Sequence, residues 1–203
     1  MTTRLLAFAL FPLCSLPLRA QGPPTTPFVT RGACPFECCQ LGDWTGRDSL
    51  PVYAQARGTA GPLFFVLPNE HFRADSADFY TLSLGIILIL RPMRLADHLG
   101  EESVPPLVTK ADSVAYAALR RPLAPGDTVY LIGHEPEVGE VVWFKGQRAT
   151  VGTFWVQPGS HRLALAVLSR PIEHEWWVRI TRNGRTGWIQ AWGHHFDGAD
   201  GCG

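Results

Sequence analysis

Histidines could carry proton-transfer or metal chemistry in this chain, so their spacing is the first feature to consider. The seven are His71, His98, His134, His161, His174, His194 and His195, and no two have the His-x-x-x-His spacing of a helical zinc site. The densest polar cluster, His194-His195-Phe196-Asp197 with Asp200, lies in a Gly-rich tail, where solvated polar residues are common. The chain has no Gly-x-Ser-x-Gly elbow and no phosphate-binding glycine loop. We therefore predict no catalytic residue, no metal and no cofactor.

The first twenty residues have the pattern of an export signal. Arg4 is a positive charge without a nearby acid, residues 5–18 are almost wholly apolar, and Ala20 is a small residue at the expected cleavage point. We expect residues 1–20 to be a signal peptide and the mature protein to be secreted or periplasmic. The alternative is a buried N-terminal strand or helix. Because the apolar run is too short to span a bilayer, we expect no membrane span in the mature chain.

Cysteines are the second group with chemistry of their own. Beyond the expected signal peptide they are Cys34, Cys38, Cys39 and Cys202. An even number in an exported chain predicts two disulfides, with three possible connectivities. Adjacent cysteines pair poorly with each other, so we expect Cys38 and Cys39 to have different partners. A bridge from Cys202 to the N-terminal cluster would stabilise the fold by about 4–5 kcal/mol in the chain-entropy model. A four-cysteine zinc site is the alternative, although the usual Cys-x-x-Cys pairs are missing.

The charge composition limits the class of partner. The formal net charge is zero, so the basic excess of a nucleic-acid-binding protein is missing and nucleic acid is not expected as a partner. Sixteen of the eighteen basic residues are arginines. Arginine binds carboxylates and stacks on aromatic rings better than lysine does.

The elements that must position these residues are short strands. Glycine and proline together number 37, which is typical of a chain with many turns. After a flexible leader with the cysteine cluster at 21–43, β-prone runs occur at 52–54, 63–67, 79–90, 128–132, 138–144, 163–168, 176–181 and 186–191. Residues 111–121 contain good helix formers and predict a short helix. The predicted fold class is mainly β.

The clearest local signal is a hairpin that turns at Asn183-Gly184. A two-residue turn there places Val178 opposite Ile189 and Arg179 opposite Trp188. One face is then an apolar core face, formed by Trp176, Val178, Ile180, Ile189 and Ala191. The other is polar except for three tryptophans, and it supplies our candidate ligand-binding residues: Trp177, Arg179, Trp188, Gln190 and Trp192. The alternative is that this second face packs under the segment 79–170 or under another module.

The same hairpin resembles the closing strands of bacterial SH3-like domains. The resemblance lies in Trp176-Trp177-Val178-Arg179-Ile180 followed by Asn183-Gly184-Arg185-Thr186-Gly187-Trp188-Ile189, and Pro125-Gly126-Asp127 resembles the turn before an earlier strand of these domains. It implies one or two small SH3-like barrels, a first module at 44–110 and a C-terminal module with the cysteine-containing tail at 111–203. The usual role in that family is non-catalytic binding of cell-wall peptide or a protein partner.

The function that the sequence favours is an exported binding or scaffolding module for a peptide, a cell-wall fragment or an envelope protein. Two alternatives stay open. One is a small secreted hydrolase with a site assembled from scattered histidines and carboxylates, for which a pocket holding such groups would be the sign. The other is a purely structural envelope protein without a small ligand.

Overall fold

The computed structural model describes residues 22–98, 120–136, 139–158, 164–191 and 195–202. The fold is mainly β, as predicted, and includes a curled half-barrel sheet. Its strands are β1 Phe28–Arg31, β2 Gly42–Gly46, β3 Leu50–Val52, β4 Phe64–Val66, β5 His71–Ser83, β6 Gly85–Ile89, β7 Thr128–Glu135, β8 Gly139–Phe144, β9 Gln147–Val151, β10 Ala166–Arg170, β11 Glu173–Arg182, β12 Arg185–Gln190 and β13 Phe196–Asp197. A short 3-10 helix, Leu95–His98, follows β6. No helix in the described part of the chain is long and apolar enough to cross a membrane.

The first sheet is built around β5, the longest strand. Its order is β12-β11-β5-β2-β13, and β1 also pairs with β5. Strand β1 pairs with 78–81 and β2 pairs with 71–74, so these two short strands share one edge of β5 while β11 occupies the other. Residues 28–31 were expected in a flexible leader. They form a strand instead because β5 offers them a backbone partner.

The second sheet has the order β10-β6-β7-β8-β9. The sequence predicts one central strand at 79–90, but the structure divides this run between β5 and β6 at Leu84. Close packing at Gly85 accompanies the division, since a Cβ atom there would lie 2.8 Å from the Cβ of Leu131 in β7. Both halves of the run are buried, since Phe79 lies in one hydrophobic core and Ile87 and Ile89 lie in another.

Two hydrophobic cores correspond to the two sheets, and a smaller third cluster is formed by Leu84, Ile132 and Val141. The first contains the predicted inner face of the hairpin and centres on Trp44, which is fully buried and stacks on Phe196 at 4.6 Å between ring centroids. The second is aliphatic and is formed mainly by Ile87, Ile89, Leu95, Leu123, Val129, Leu131, Val142, Phe144, Val151 and Leu168. Between the sheets, the buried hydroxyl of Thr81 donates a hydrogen bond of 2.8 Å to the carbonyl of Ile132.

The sheets do not follow the predicted modules 44–110 and 111–203. Strands β11, β12 and β13 lie late in the chain but belong to the same sheet as β2 and β5. Strand β6 lies early in the chain but belongs to the sheet of β7–β10. Each sheet is therefore built from both halves of the sequence. Most of the predicted helix at 111–121 lies outside the described residues.

The structure contains two disulfides, as the cysteine count predicts, and one of them joins the N-terminal cysteine cluster to the tail. Cys34 pairs with Cys39, and Cys38 pairs with Cys202 across 164 positions. The tail also pairs with this segment through its backbone, since Gln40 N–H donates to the carbonyl of Ala199 at 2.8 Å. Each of the four sulfur atoms is bonded to one other sulfur atom, so none of them is a free thiolate that could bind zinc.

Removing the long-range disulfide is expected to destabilise the fold more than removing the short one. In the chain-entropy model, Cys38→Ser with Cys202→Ser loses about 5 kcal/mol, and Cys34→Ser with Cys39→Ser loses about 2 kcal/mol. Urea unfolding followed by tryptophan fluorescence measures both losses. Equal losses of unfolding free energy would contradict the view that the disulfide between Cys38 and Cys202 restrains the whole chain.

Gly85→Ala is expected to destabilise the protein by about 1–3 kcal/mol, because the added methyl group overlaps Leu131 in a packed core. Gly133→Ala is the matched control, since its Cβ would meet Val141 only at an ordinary 3.8 Å. Thermal unfolding of both variants measures the difference. A Gly85→Ala variant as stable as the control would show that the close contact at the sheet division is not required.

Candidate functional site

The hairpin of β11 and β12 has the predicted register. Arg179 lies opposite Trp188, Val178 opposite Ile189, and Trp177 opposite Gln190. The turn residues Asn183 and Gly184 have φ angles of 49° and 74°, the left-handed conformation that a type I′ turn requires. The side chains therefore alternate as predicted, with one apolar set in the core and one polar and aromatic set facing away from it.

Strand β5 widens this second set into a larger surface. Ser76, Asp78 and Tyr80 lie opposite Arg179, Trp177 and Glu175 in the register of β5 with β11. We call the combined surface the tryptophan face, and its members are Ser76, Asp78, Tyr80, Glu175, Trp177, Arg179, Trp188 and Gln190. Sequence reasoning missed the three β5 residues because nothing local to the hairpin indicates which distant strand pairs with it.

Half of the tryptophan face is covered. Trp177 is only 5% exposed, contrary to the expectation that it forms part of an open aromatic platform. Its indole N–H donates to Oε2 of Glu175 at 2.9 Å, and the ring of Tyr53 meets it edge-on at 5.9 Å. Arg57 also binds Glu175, at 2.9 Å. The packing alternative is therefore correct for Trp177, but the covering residues come from 53–57 rather than from 79–170.

The physical reason for this covering is a backbone bridge at the outer edge of β12. The N–H of Tyr53 donates to the carbonyl of Trp188, and the N–H of Trp188 donates to the carbonyl of Tyr53, both at 2.8 Å. The chain after β3 must therefore lie beside β12, and its next residues reach the tryptophan face. Arg57 then lies 5.8 Å from the ring centre of Tyr80.

The other half of the face is open. Arg179 and Gln190 are exposed and Trp188 is half-buried, whereas Trp192 lies outside the described residues. Arg179 makes no ion pair or side-chain hydrogen bond with any residue in the described ranges. An exposed guanidinium beside an indole can bind a carboxylate while the ring contacts an apolar group.

Tyr80 lies at the covered end of the tryptophan face, opposite Glu175 in the strand register. Its partial burial and the nearby negative charge of Asp78 raise the pKa of the phenol above its ordinary value, although Arg31 and Arg57 act in the opposite direction. The phenol therefore stays protonated at neutral pH and can donate a hydrogen bond there.

A second concave site lies between the two sheets, and we call it the inter-sheet cleft. Its volume is about 180 Å³, and it separates β1 and residues 32–35 from the outer side of β7 and β8. Its apolar lining is formed chiefly by Phe28, Phe79, Ile132 and Val141. No sequence motif indicates this cleft, because its walls come from segments about a hundred residues apart.

Charged side chains surround the inter-sheet cleft. Glu135 accepts hydrogen bonds from Arg148 at 2.8 Å and from Thr150 at 2.9 Å. Nδ1 of His134 lies 3.5 Å from the carboxylate of Glu140. Arg31 also lines the cleft, is exposed, and makes no ion pair with any residue for which the structure gives a position.

The polar cluster in the tail has a structural role. Asp197 pairs with Arg47, and this contact lowers the pKa of the carboxyl group. His195 lies 2.7 Å from Asp48, while Phe196 is buried in the first core. These contacts fix β13 against β2. His194 lies outside the described residues.

Comparisons of the chain with protein-family models, with curated proteins and with solved structures find no match. The fold therefore defines only a class, a mainly β protein with a curled half-barrel sheet. The resemblance to bacterial SH3-like domains stays a prediction.

Stability is expected to fall as the pH falls below about 6.5, because His174 is held in an environment that disfavours its charge. Burial lowers the pKa of His174, whose ring stacks on Phe79 at 4.7 Å. The unfolded chain, with an ordinary histidine pKa of about 6.5, then binds the proton more readily than the folded chain. His174→Phe is expected to flatten the decline of the urea midpoint between about pH 7.5 and 5. An unchanged pH slope in that variant would assign the decline to other groups.

Proposed function

We propose that this protein is an exported, non-catalytic binding module that recognises peptides carrying a carboxylate, from the cell wall or from an envelope protein. The observation that supports the proposal most is the exposed guanidinium of Arg179, which has no ion pair among the described residues and lies opposite the half-buried ring of Trp188. Gln190 adds an amide that can donate to and accept from a peptide backbone.

Arg179 and Trp188 each have a part that a ligand can contact. Arg179 has no ion-pair partner among the residues that the structure describes, so a ligand carboxylate can take a bidentate position without displacing one. Trp188 has part of its ring covered by strand packing and part open to solvent, so an apolar ligand group can cover the rest. The open half of the tryptophan face thus offers a charged contact and an apolar contact side by side.

Export is supported by two independent features. The signal pattern of residues 1–20 and the two disulfides agree, since disulfides persist in oxidising compartments. The resemblance of the hairpin to bacterial SH3-like domains also favours a binding role rather than catalysis, because that is the usual role of the family.

A second candidate, a small secreted hydrolase, is favoured by His134 and Glu135, which line the inter-sheet cleft, and by Glu140, whose carboxylate lies 3.5 Å from Nδ1 of His134. The carboxylate of Glu135 already accepts hydrogen bonds from Arg148 and Thr150. Glu135 is therefore better suited to a structural role in the cleft wall than to accepting a proton from a substrate. Release of soluble fragments from purified cell wall by the wild-type protein, and its loss in His134→Ala, would establish the hydrolase and exclude the non-catalytic proposal.

Binding through the open half of the tryptophan face predicts that Arg179→Gln and Trp188→Ala each weaken binding by roughly tenfold or more. Co-sedimentation with purified cell wall and with envelope extract measures the effect, and circular dichroism checks that each variant folds. Arg73→Gln is the matched control, since Arg73 is an exposed arginine of the same sheet with only long contacts to Asp43 and Asp75. Wild-type retention of both test variants would remove the proposed surface.

A further inference from the structure

Asp78, on the tryptophan face, is a buried carboxylate without a partner. The residue is only 7% exposed, and it makes no hydrogen bond or ion pair with any residue that the structure describes. Aspartate is almost never buried to this extent unless it is paired, because removing a charge from water costs free energy. An unpaired carboxylate in such surroundings is a strong acceptor for a cation that a ligand brings.

The carboxylate of Asp78 is within reach of a small ligand. Among the described residues, the fully enclosed side-chain atoms that lack a hydrogen bond include the indole nitrogen of Trp143, but they do not include the oxygens of Asp78. These oxygens therefore keep contact with solvent while most of the residue is covered. A donor can approach them from the side of the tryptophan face.

The strand register shows which groups surround this carboxylate. Asp78 lies opposite Trp177 in the pairing of β5 with β11, and Ser76 lies opposite Arg179. Side chains two residues apart on a strand share a face, so Ser76 and Asp78 are neighbours along β5. Asp78 and Arg179 are diagonal neighbours, about 7–8 Å apart at their backbones. The face therefore presents a negative group and a positive group with a serine hydroxyl beside both.

Asp78 and Arg179 do not neutralise each other, since no ion pair joins them in the structure. An α-amino acid carries an ammonium and a carboxylate on one carbon, and each can form a charge-assisted hydrogen bond of about 2.8 Å. Such a group can bridge two charges that are too far apart to pair directly. Its ammonium is complementary to Asp78, and its carboxylate is complementary to Arg179.

Three other charged side chains lie near Asp78. Arg57 and Glu175 are paired with each other at 2.9 Å, so their charges cancel. Arg31 lies opposite Asp78 in the pairing of β1 with β5, is exposed, and forms no ion pair with it. The positive charge of Arg31 opposes an ammonium at Asp78. Removing Arg31 and removing Asp78 must therefore change an ammonium contact in opposite directions.

We infer that the tryptophan face binds an α-amino acid group with both charges free, its ammonium on Asp78 and its carboxylate on Arg179. Ser76 offers a hydroxyl oxygen to the ammonium, and the half-buried ring of Trp188 contacts an apolar side chain. The inference rests on the proposed function, because it gives the carboxylate of that ligand an ammonium neighbour. The group occurs in free amino acids and in a diamino acid that is joined to a peptide through its side-chain amine.

The test is an NMR titration of the full chain after the expected signal peptide with three ligands that share one apolar side chain. Leucine has both charges, N-acetyl-leucine lacks the ammonium, and leucinamide lacks the carboxylate. Leucine is expected to bind at least tenfold more tightly than either of the others. Leucine that does not bind, or N-acetyl-leucine that binds as tightly as leucine, would overturn the inference.

Variants locate the ammonium. Asp78→Asn is expected to weaken leucine at least tenfold and to leave N-acetyl-leucine unchanged, and circular dichroism checks that it folds. Arg31→Gln is expected to bind leucine at least as tightly as the wild type does. Asp43→Asn is the matched control with wild-type affinity, since Asp43 is an acid of the same sheet whose side chain is 87% exposed. Wild-type affinity in Asp78→Asn, or an equal loss in Arg31→Gln, would refute the ammonium contact.

Arg179→Gln separates this inference from the proposed function. If leucine and N-acetyl-leucine bind the wild type equally and Arg179→Gln weakens both, the carboxylate site stands and the ammonium site is refuted. If leucinamide binds as tightly as leucine and Arg179→Gln weakens neither, the proposed function fails, and the bridging ligand fails with it.

A fourth ligand, Nε-acetyl-lysine, distinguishes the two sources, because it carries the α-amino acid group at the end of an amide-linked chain. Binding at least as tight as that of leucine assigns the site to a diamino acid within a peptide. Weaker binding assigns it to free apolar amino acids. Either result agrees with the inferred pairing of an ammonium and a carboxylate.

Discussion

The buried hydrogen bond from Thr81 to Ile132 lies where a single chain segment passes from the first sheet to the second. Strands β5 and β6 are separated by Leu84 alone, so one nearly continuous extended segment contributes a strand to each sheet. The acceptor carbonyl lies at an irregularity in the pairing of β7 with β8, between Leu131 and Gly133. A buried carbonyl that a bulge removes from the ladder needs another donor, and the hydroxyl supplies it. This contact, together with the buried cluster of Leu84, Ile132 and Val141, holds the two sheets against each other beside the inter-sheet cleft.

Two of the arginines have a structural role at the edge of β4. Arg182 donates to the carbonyl of Phe65 at 3.0 Å, and Arg185 donates to that of Leu63 at 2.9 Å. Arg185 also lies over the ring of Phe64, 4.2 Å from its centre. A planar guanidinium can occupy an open strand edge and cover a ring at once, which a lysine ammonium cannot do. These arginines cap backbone groups that would otherwise pair with a neighbouring molecule.

Turn residues and short sequence patterns predicted the local structure of the chain. They did not predict contacts between segments that are distant in the sequence. The hairpin register followed from Asn183-Gly184 because the turn alone determines it. The short strand β1 was missed, since its stability comes from pairing with β5 rather than from its own sequence. Burial of Trp177 was among the alternatives, but the residue that covers it was not predicted, because Tyr53 lies more than a hundred residues earlier. The open part of the candidate surface, Arg179 and Trp188, was predicted correctly in position, while its β5 neighbours and the inter-sheet cleft required the tertiary structure.

The bridge between Cys38 and Cys202 also determines how the protein responds to mechanical force. A pull applied between the segment around Cys38 and the segment around Cys202 passes through two sulfur atoms and does not reach the strands between them. Antiparallel sheets that are loaded at their ends otherwise peel open one hydrogen bond after another. With the bridge intact, the tension bypasses both sheets, and only reduction of that bond exposes β2 to β13 to the load.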